Sequence, residues 1–120
     1  MLIVEDDRAA RRAIGAILRA QGFAVSEVTT VADALRALCG SRASGGSSPQ
    51  PPDWIVLDLM LPDGCGIDIV RKVRAEHLAS KVCVVTGCGS EMLCEAERAG
   101  AEHAFTKPLD VQRLMTVMSE

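Results

Sequence analysis

Tyrosine is absent from this chain, and only two Phe and one Trp occur among its 120 residues. The core must therefore be built from Val, Ile, Leu, Ala and Met, and stacking of nucleic-acid bases on aromatic rings is excluded as a principal activity. Basic excess is also lacking. A formal charge of −3 gives no positive field with which to grip DNA or RNA directly. No apolar run reaches the ~18 residues of a membrane span, and the start has no basic-then-apolar leader, so a cytoplasmic protein without membrane contact is expected. The cysteines Cys39, Cys65, Cys83, Cys88 and Cys94 are odd in number and form no CxxC pair. They read neither as a disulfide framework nor as a zinc site, but as free thiols in a reducing compartment. A redox role for Cys65 and Cys88 is a minor alternative, because both fall in loops near the site described below.

With 48% apolar residues in 120, one domain with one core is the expectation. Its organising stretch is Trp54-Ile-Val-Leu-Asp-Leu-Met-Leu-Pro-Asp-Gly64. Four apolar residues without alternation indicate a strand covered on both faces, as in a parallel sheet, and Pro62, Asp63 and Gly64 break it. The run delivers Asp58 to the C-terminal edge, where open α/β sheets place their ligands. A strand-ending Asp that only caps the next loop is the plainer alternative.

The rest of the chain alternates in kind. Leu2 to Val4 reads as a strand that ends in Glu5, Asp6 and Asp7; a helix with Ala10, Ile14, Ile17 and Leu18 on its apolar stripe follows, stopped by Gly22. Phe23 to Val28 is a second strand, and Thr30 with Asp33 resembles a cap for a helix to about Leu38. From Cys39 to Asp53 the composition turns to Gly, Ser, Pro and Gln, which predicts a flexible surface excursion at about 40–53. After the organising strand come a helix from about Gly66 to Glu76, a strand from Val82 to Val85 ending at Thr86, and a helix stopping before Gly100. A short strand from His103 to Thr106, and a last helix capped by Asp110, complete the chain. Five strands alternating with five helices predict a parallel sheet with helices on both faces.

The C-terminal ends of all strands in a parallel sheet lie on one edge, so Glu5, Asp6, Asp58, Thr86 and Lys107 are expected to converge. Each has an ordinary reading alone: acids at a helix start, a strand threonine, a solvated lysine. Three carboxylates together repel by about 4 kcal/mol per pair at 4 Å and an effective dielectric of 20. Lys107 offers one compensating charge, and a hard divalent cation, Mg²⁺ with Mn²⁺ as a substitute, offers the remainder. Asp58 would then be a carboxylate nucleophile toward phosphorus, with Lys107 and the Thr86 hydroxyl serving the phosphoryl oxygens. Gly87 leaves room for that group. His77 and His103 lack a partner pattern and read as surface residues.

Val4-Glu-Asp-Asp7, Leu57-Asp-Leu-Met-Leu-Pro-Asp-Gly64, Val85-Thr-Gly87, Gly100-Ala101 and Thr106-Lys-Pro108, taken in order, resemble the receiver domain of two-component response regulators. The resemblance covers essentially the whole chain, 1–120, as a single receiver domain. It implies a flavodoxin-like doubly wound α/β fold with strand order 2-1-3-4-5. It further implies that Asp58 accepts phosphate from a sensor histidine kinase, a phosphotransfer protein or a small phosphodonor. Glu5, Asp6, Asp58 and the Met60 backbone carbonyl would be metal ligands, and Thr86 and Lys107 the responding pair. Such a domain is a phosphoacceptor rather than an enzyme, limited to self-phosphorylation and autodephosphorylation. Its readout would be an output domain or partner at the face of the fourth helix, fifth strand and fifth helix, with homodimerisation open. Three features depart from the pattern: Ala104 stands where an aromatic residue is usual, with Phe105 on the opposite strand face; the 40–53 excursion is long; and strand one starts almost at residue 1, as in a trimmed or very tight start. A phosphate-independent docking module is the runner-up. A hydrolase is disfavoured because Asp58-Leu-Met60 places no second acid two residues on. Nucleotide binding is disfavoured because Gly87-Cys-Gly89 lacks the third glycine of a dinucleotide fingerprint and no P-loop occurs.

Overall fold

The computed structural model describes residues 1–43, 52–87, 90–107 and 110–118. Seven strands and five helices occur among them. The strands are β1 Leu2–Val4, β2 Ser26–Val28, β3 Trp54–Asp58, β4 Met60–Leu61, β5 Gly64–Cys65, β6 Lys81–Thr86 and β7 His103–Thr106; the helices are α1 Arg8–Ala20, α2 Val31–Ala43, α3 Ile67–Ala75, α4 Ser90–Ala99 and α5 Val111–Met118. The main sheet has the order β2-β1-β3-β6-β7, and every pairing within it is parallel. Numbering only its own five strands, this is the order 2-1-3-4-5. β4 and β5 form a separate antiparallel pair.

The apolar runs divide between two faces because successive side chains on a strand point opposite ways. Leu2, Val4, Ile55, Leu57, Val82 and Val84 pack with Ala34 and Leu38 of α2, Val70 and Val73 of α3 and Ala96 of α4. Ile3, Val56, Cys83 and Val85 pack on the other face with Ile14 and Leu18 of α1 and Leu114 and Met118 of α5. Strands covered on both sides need no polar alternation. Burial of each large aliphatic side chain contributes about 1.5–3 kcal/mol. Ala104 and Phe105 follow the same rule: Ala104 packs on the α2–α3–α4 side and Phe105 on the α1–α5 side.

Several boundaries differ from the sequence expectation. β2 is confined to Ser26–Val28, because Phe23 and Val25 pack against the α1–α5 core before pairing begins. α2 continues to Ala43, five residues beyond Leu38, so the first part of the Gly/Ser-rich stretch is helical. The expected excursion otherwise falls on residues 44–51, outside the described residues. At its far end the chain is anchored, with Ser80 Oγ donating to the Pro52 carbonyl at 2.5 Å and the Lys81 N–H to the Asp53 carbonyl at 2.9 Å. The β4–β5 hairpin was not expected, since Pro62-Asp-Gly64 reads simply as a strand stop. His103 is not a free surface residue: its ring stacks between Trp54 and Phe105, with centroids 6.4 and 6.3 Å away. His77 is exposed, at a left-handed φ of 52° that closes α3.

Candidate functional site

β1 hands its C-terminal end to three consecutive acids. Glu5 prolongs the strand, its N–H bonding the Val28 carbonyl at 3.1 Å, and is buried. Its Oε1 accepts the Asp7 N–H at 3.0 Å. Asp7 turns the chain into α1 as the N-cap, its Oδ1 accepting the Ala9 N–H at 3.1 Å. Asp6 between them is exposed.

Asp58 ends β3 and is 4% exposed, although its strand neighbours are all apolar. A carboxylate there requires partners. Oδ1 accepts the Met60 N–H at 3.0 Å, and Oδ2 accepts from Lys107 Nζ at 2.8 Å. Lys107 also reaches Glu5 Oε2 at 3.2 Å. Its backbone is fixed one strand away, where the Lys107 N–H bonds the Thr86 carbonyl at 2.9 Å, in continuation of the Thr86–Thr106 register. Thr86 itself is fully buried at the end of β6, one position beyond Val85, the partner of Asp58 in the sheet. The sheet thus brings Glu5, Asp6, Asp58 and Lys107 into one cluster, with Thr86 on the adjoining strand end. Met60 contributes its N–H to Asp58, while its side chain is 59% exposed at the lip of the cluster.

The electrostatics follow from burial. Desolvation, and then the neighbouring Asp58 charge, raise the Glu5 pKa above its ordinary 4.5, outweighing the Asp7 N–H and Lys107 that favour the ionised form. For Lys107, burial works against the ammonium, but the hydrogen bonds to Asp58 and Glu5 prevail and leave its pKa raised. One lysine against three acids leaves the cluster with excess negative charge. Carboxylate oxygens of Glu5, Asp6 and Asp58 lie within 4.8 Å of one another. This all-oxygen, anionic donor set suits a hard divalent cation such as Mg²⁺ or Mn²⁺ better than a soft one.

Gly66 and Asp63, which the sequence marks only as a helix start and a strand break, pack the elements around the cluster. The Gly66 N–H bonds the Leu59 carbonyl at 2.9 Å. A Cβ on Gly66 would stand 2.5 Å from the Asp58 carbonyl oxygen and 2.6 Å from Leu57 Cδ1, so α3 can begin this close to β3 only with glycine. Asp63, at the hairpin tip, accepts the first two N–H groups of α2 through both oxygens, Val31 at 2.8 Å and Ala32 at 3.0 Å. The Ala32 and Val31 N–H groups hold its pKa below 3.8. Gly66 follows a strand break and opens a helix, a recognisable pattern; the Asp63 contact reaches back 32 residues to Val31 and leaves no local trace. Cys83 is buried, and its thiol is pushed up to about 12 by desolvation, which removes its reactivity. Cys65 is half-buried, and Cys88 lies outside the described residues. No described helix is long and apolar enough to cross a membrane.

The family model described as response regulator receiver domain matches residues 1–119. The acid tolerance regulatory protein ActR of Rhizobium meliloti is 29% identical over 119 residues, 98% of this chain and 57% of that protein. The photosynthetic apparatus regulatory protein RegA of Rhodovulum sulfidophilum is 33% identical over 111 residues, 92% of this chain and 56% of that one. The chain thus spans little more than half the length of these relatives. Among solved structures, a response regulator signal receiver domain from Bermanella marisrubri superposes with a TM-score of 0.81 at 28% identity, over 98% of this chain and 92% of that one.

Proposed function

The chain belongs to the response regulator receiver domain family, and from that premise we propose that it is a single receiver unit that switches when Asp58 is phosphorylated. The observation that carries this reading is the pairing of a nearly buried Asp58 with Lys107 at 2.8 Å inside a cluster of three carboxylates. A carboxylate that served only to cap a loop would not need a lysine from the far end of the chain.

In this reading one Asp58 oxygen attacks phosphorus of a donor phosphohistidine or of a small phosphodonor. The O–P bond forms as the donor's bond to phosphorus breaks: with phosphohistidine the P–N bond, the imidazole leaving with the electron pair, and with acetyl phosphate the P–O bond to the acyl group, acetate leaving with it. Lys107 transfers its hydrogen bond from Asp58 Oδ2 to a phosphoryl oxygen, neutralising charge that would otherwise add to the acid cluster. The Thr86 hydroxyl donates to another oxygen. Glu5, Asp6, Asp58 and the Met60 carbonyl would hold Mg²⁺, which when bound would supply the positive charge the cluster lacks. The domain is a phosphoacceptor, not a catalyst acting on a separate substrate. Its kinase or phosphotransfer partner and its output meet it in the cytoplasm, the output on the face formed by α4, β7 and α5; dimerisation through that face is compatible with this role.

The alternative is a docking module indifferent to phosphate. The completeness of the acid cluster with its lysine favours the switch. The two readings separate when binding of the output partner is measured with and without Mg²⁺ plus beryllofluoride, a phosphoryl mimic. A change in affinity supports the switch; equal affinity, with beryllofluoride shown to be bound, supports the docking module.

A further inference from the structure

Arg11 has no part in the chemistry above, yet it touches the acid loop directly. From the second turn of α1 it sends Nη1 back to the Glu5 carbonyl oxygen at 3.0 Å and to that of Asp6 at 3.5 Å. Its Nε pairs with Glu27 Oε1 of β2 at 3.3 Å, and the other Glu27 oxygen pairs with Arg19 Nη2 at 2.8 Å. The Arg11 and Glu27 side chains are only 17% and 22% exposed, so this pair is shielded in a way that loose surface ion pairs are not. Space for it is provided by Gly15, where a Cβ would crowd Arg19 Nη1 at 3.2 Å and Glu27 Oε2 at 3.3 Å.

The carbonyls that Arg11 grips belong to the two residues whose carboxylates meet Asp58. A planar guanidinium fork fixes the peptide planes it binds more firmly than a lysine would. Fixing the carbonyls of residues 5 and 6 restricts where the Glu5 and Asp6 side chains can point. We infer that Arg11, held in place by Glu27, is a positioning residue that preorganises the Glu5–Asp6 turn for cation binding. This rests on the reading of the acid cluster as the metal site. Positioning and simple charge act in opposite directions here, because a nearby guanidinium repels a divalent cation whereas an ordered pair of ligands attracts it more strongly.

The test combines Mg²⁺ titration by calorimetry with amide exchange in metal-free protein, on variants whose folding is checked by circular dichroism. The Asp7 N–H, bonded to Glu5 Oε1, reports the order of the turn without any metal. Arg11→Ala is expected to weaken Mg²⁺ binding about tenfold, the lower end of typical supporting-residue effects, and to speed exchange at Asp7. Arg11→Lys should recover part of both. Glu27→Gln, which keeps the side-chain shape, should give smaller changes in the same direction. Arg19→Ala, which touches Glu27 but not the loop, should leave both unchanged. Unaltered or tighter Mg²⁺ binding in folded Arg11→Ala, or unaltered Asp7 exchange, would overturn the inference. Should the unmodified protein bind no Mg²⁺, the metal-site reading itself fails, and exchange at Asp7 still decides whether Arg11 orders the turn.

Discussion

Lys107 Nζ lies 2.8 Å from Asp58 Oδ2, joining the end of β7 to the end of β3 across the intervening strand β6. With Glu5 Oε2 at 3.2 Å from the same nitrogen, a single ammonium holds two buried carboxylates while Asp6 adds a third charge nearby. An arrangement with more acid than base costs stability in the absence of a cation, and it is retained where function uses it.

The first expectation follows from that imbalance. Asp58→Asn keeps the shape, removes one repelling charge, and should raise metal-free stability by about 1 kcal/mol, as relief of functional strain commonly does. Glu5→Gln should act in the same direction. The raised Glu5 pKa means that its contribution is present below the ordinary 4.5 and lost as pH rises through the raised value, so ionised Glu5 is a cost at neutral pH. Urea denaturation with and without Mg²⁺ checks both: saturating Mg²⁺ should stabilise the unmodified protein more than Asp58→Asn. Equal stabilisation would remove Asp58 from the cation site.

Gly66→Ala tests how closely α3 must approach β3. The new Cβ would meet the Asp58 carbonyl and Leu57 Cδ1 well inside contact distance. Overpacking of this kind costs about 1–3 kcal/mol. The same shift should displace Asp58 and slow its labelling by acetyl phosphate. A variant with unchanged midpoint and unchanged labelling would show that the turn yields freely.

Asp63 supplies the pH expectation. Its carboxylate satisfies the first two N–H groups of α2, which otherwise lack intrahelical acceptors. Because its folded pKa lies below 3.8, its stabilisation is present above that value and lost as pH falls through the lowered one. Asp63→Ala should lower the melting temperature at pH 7, and the gap from the unmodified protein should close on acidification through that range. A gap that does not narrow at all on acidification from pH 7 would contradict the capping role.

Ala104 concerns transmission rather than chemistry. It packs on the α4 side of β7, opposite Phe105, and contributes no group to the acid cluster. Ala104→Tyr should leave the labelling rate nearly constant and change the difference in partner affinity between phosphorylated and free protein. Severe loss of labelling with the fold intact would place residue 104 in the active site.

The strands and the convergence on one edge were legible because buried apolar runs and strand-end polar residues are local features. Asp58, Glu5 and Asp6 could be named from sequence for that reason, as could Lys107 and the opposite facing of Ala104 and Phe105. α2 runs further than the sequence indicates, because Gly40 and Ser41 read as loop formers whereas the helix carries them on to Ala43. The Arg11 grip on the Glu5 carbonyl, the Asp63 cap on α2 and the stacking of His103 depend on side-chain directions across elements distant in sequence. Composition and periodicity carry no record of such contacts.

Mass mapping of the phosphorylated residue tests the central claim most directly. The protein is incubated with acetyl phosphate and Mg²⁺, trapped, and fragmented. The account predicts one added phosphoryl group, located on Asp58, dependent on the divalent cation and absent from Asp58→Asn. Undiminished phosphorylation of folded Asp58→Asn, or an adduct mapped to another residue, would contradict it.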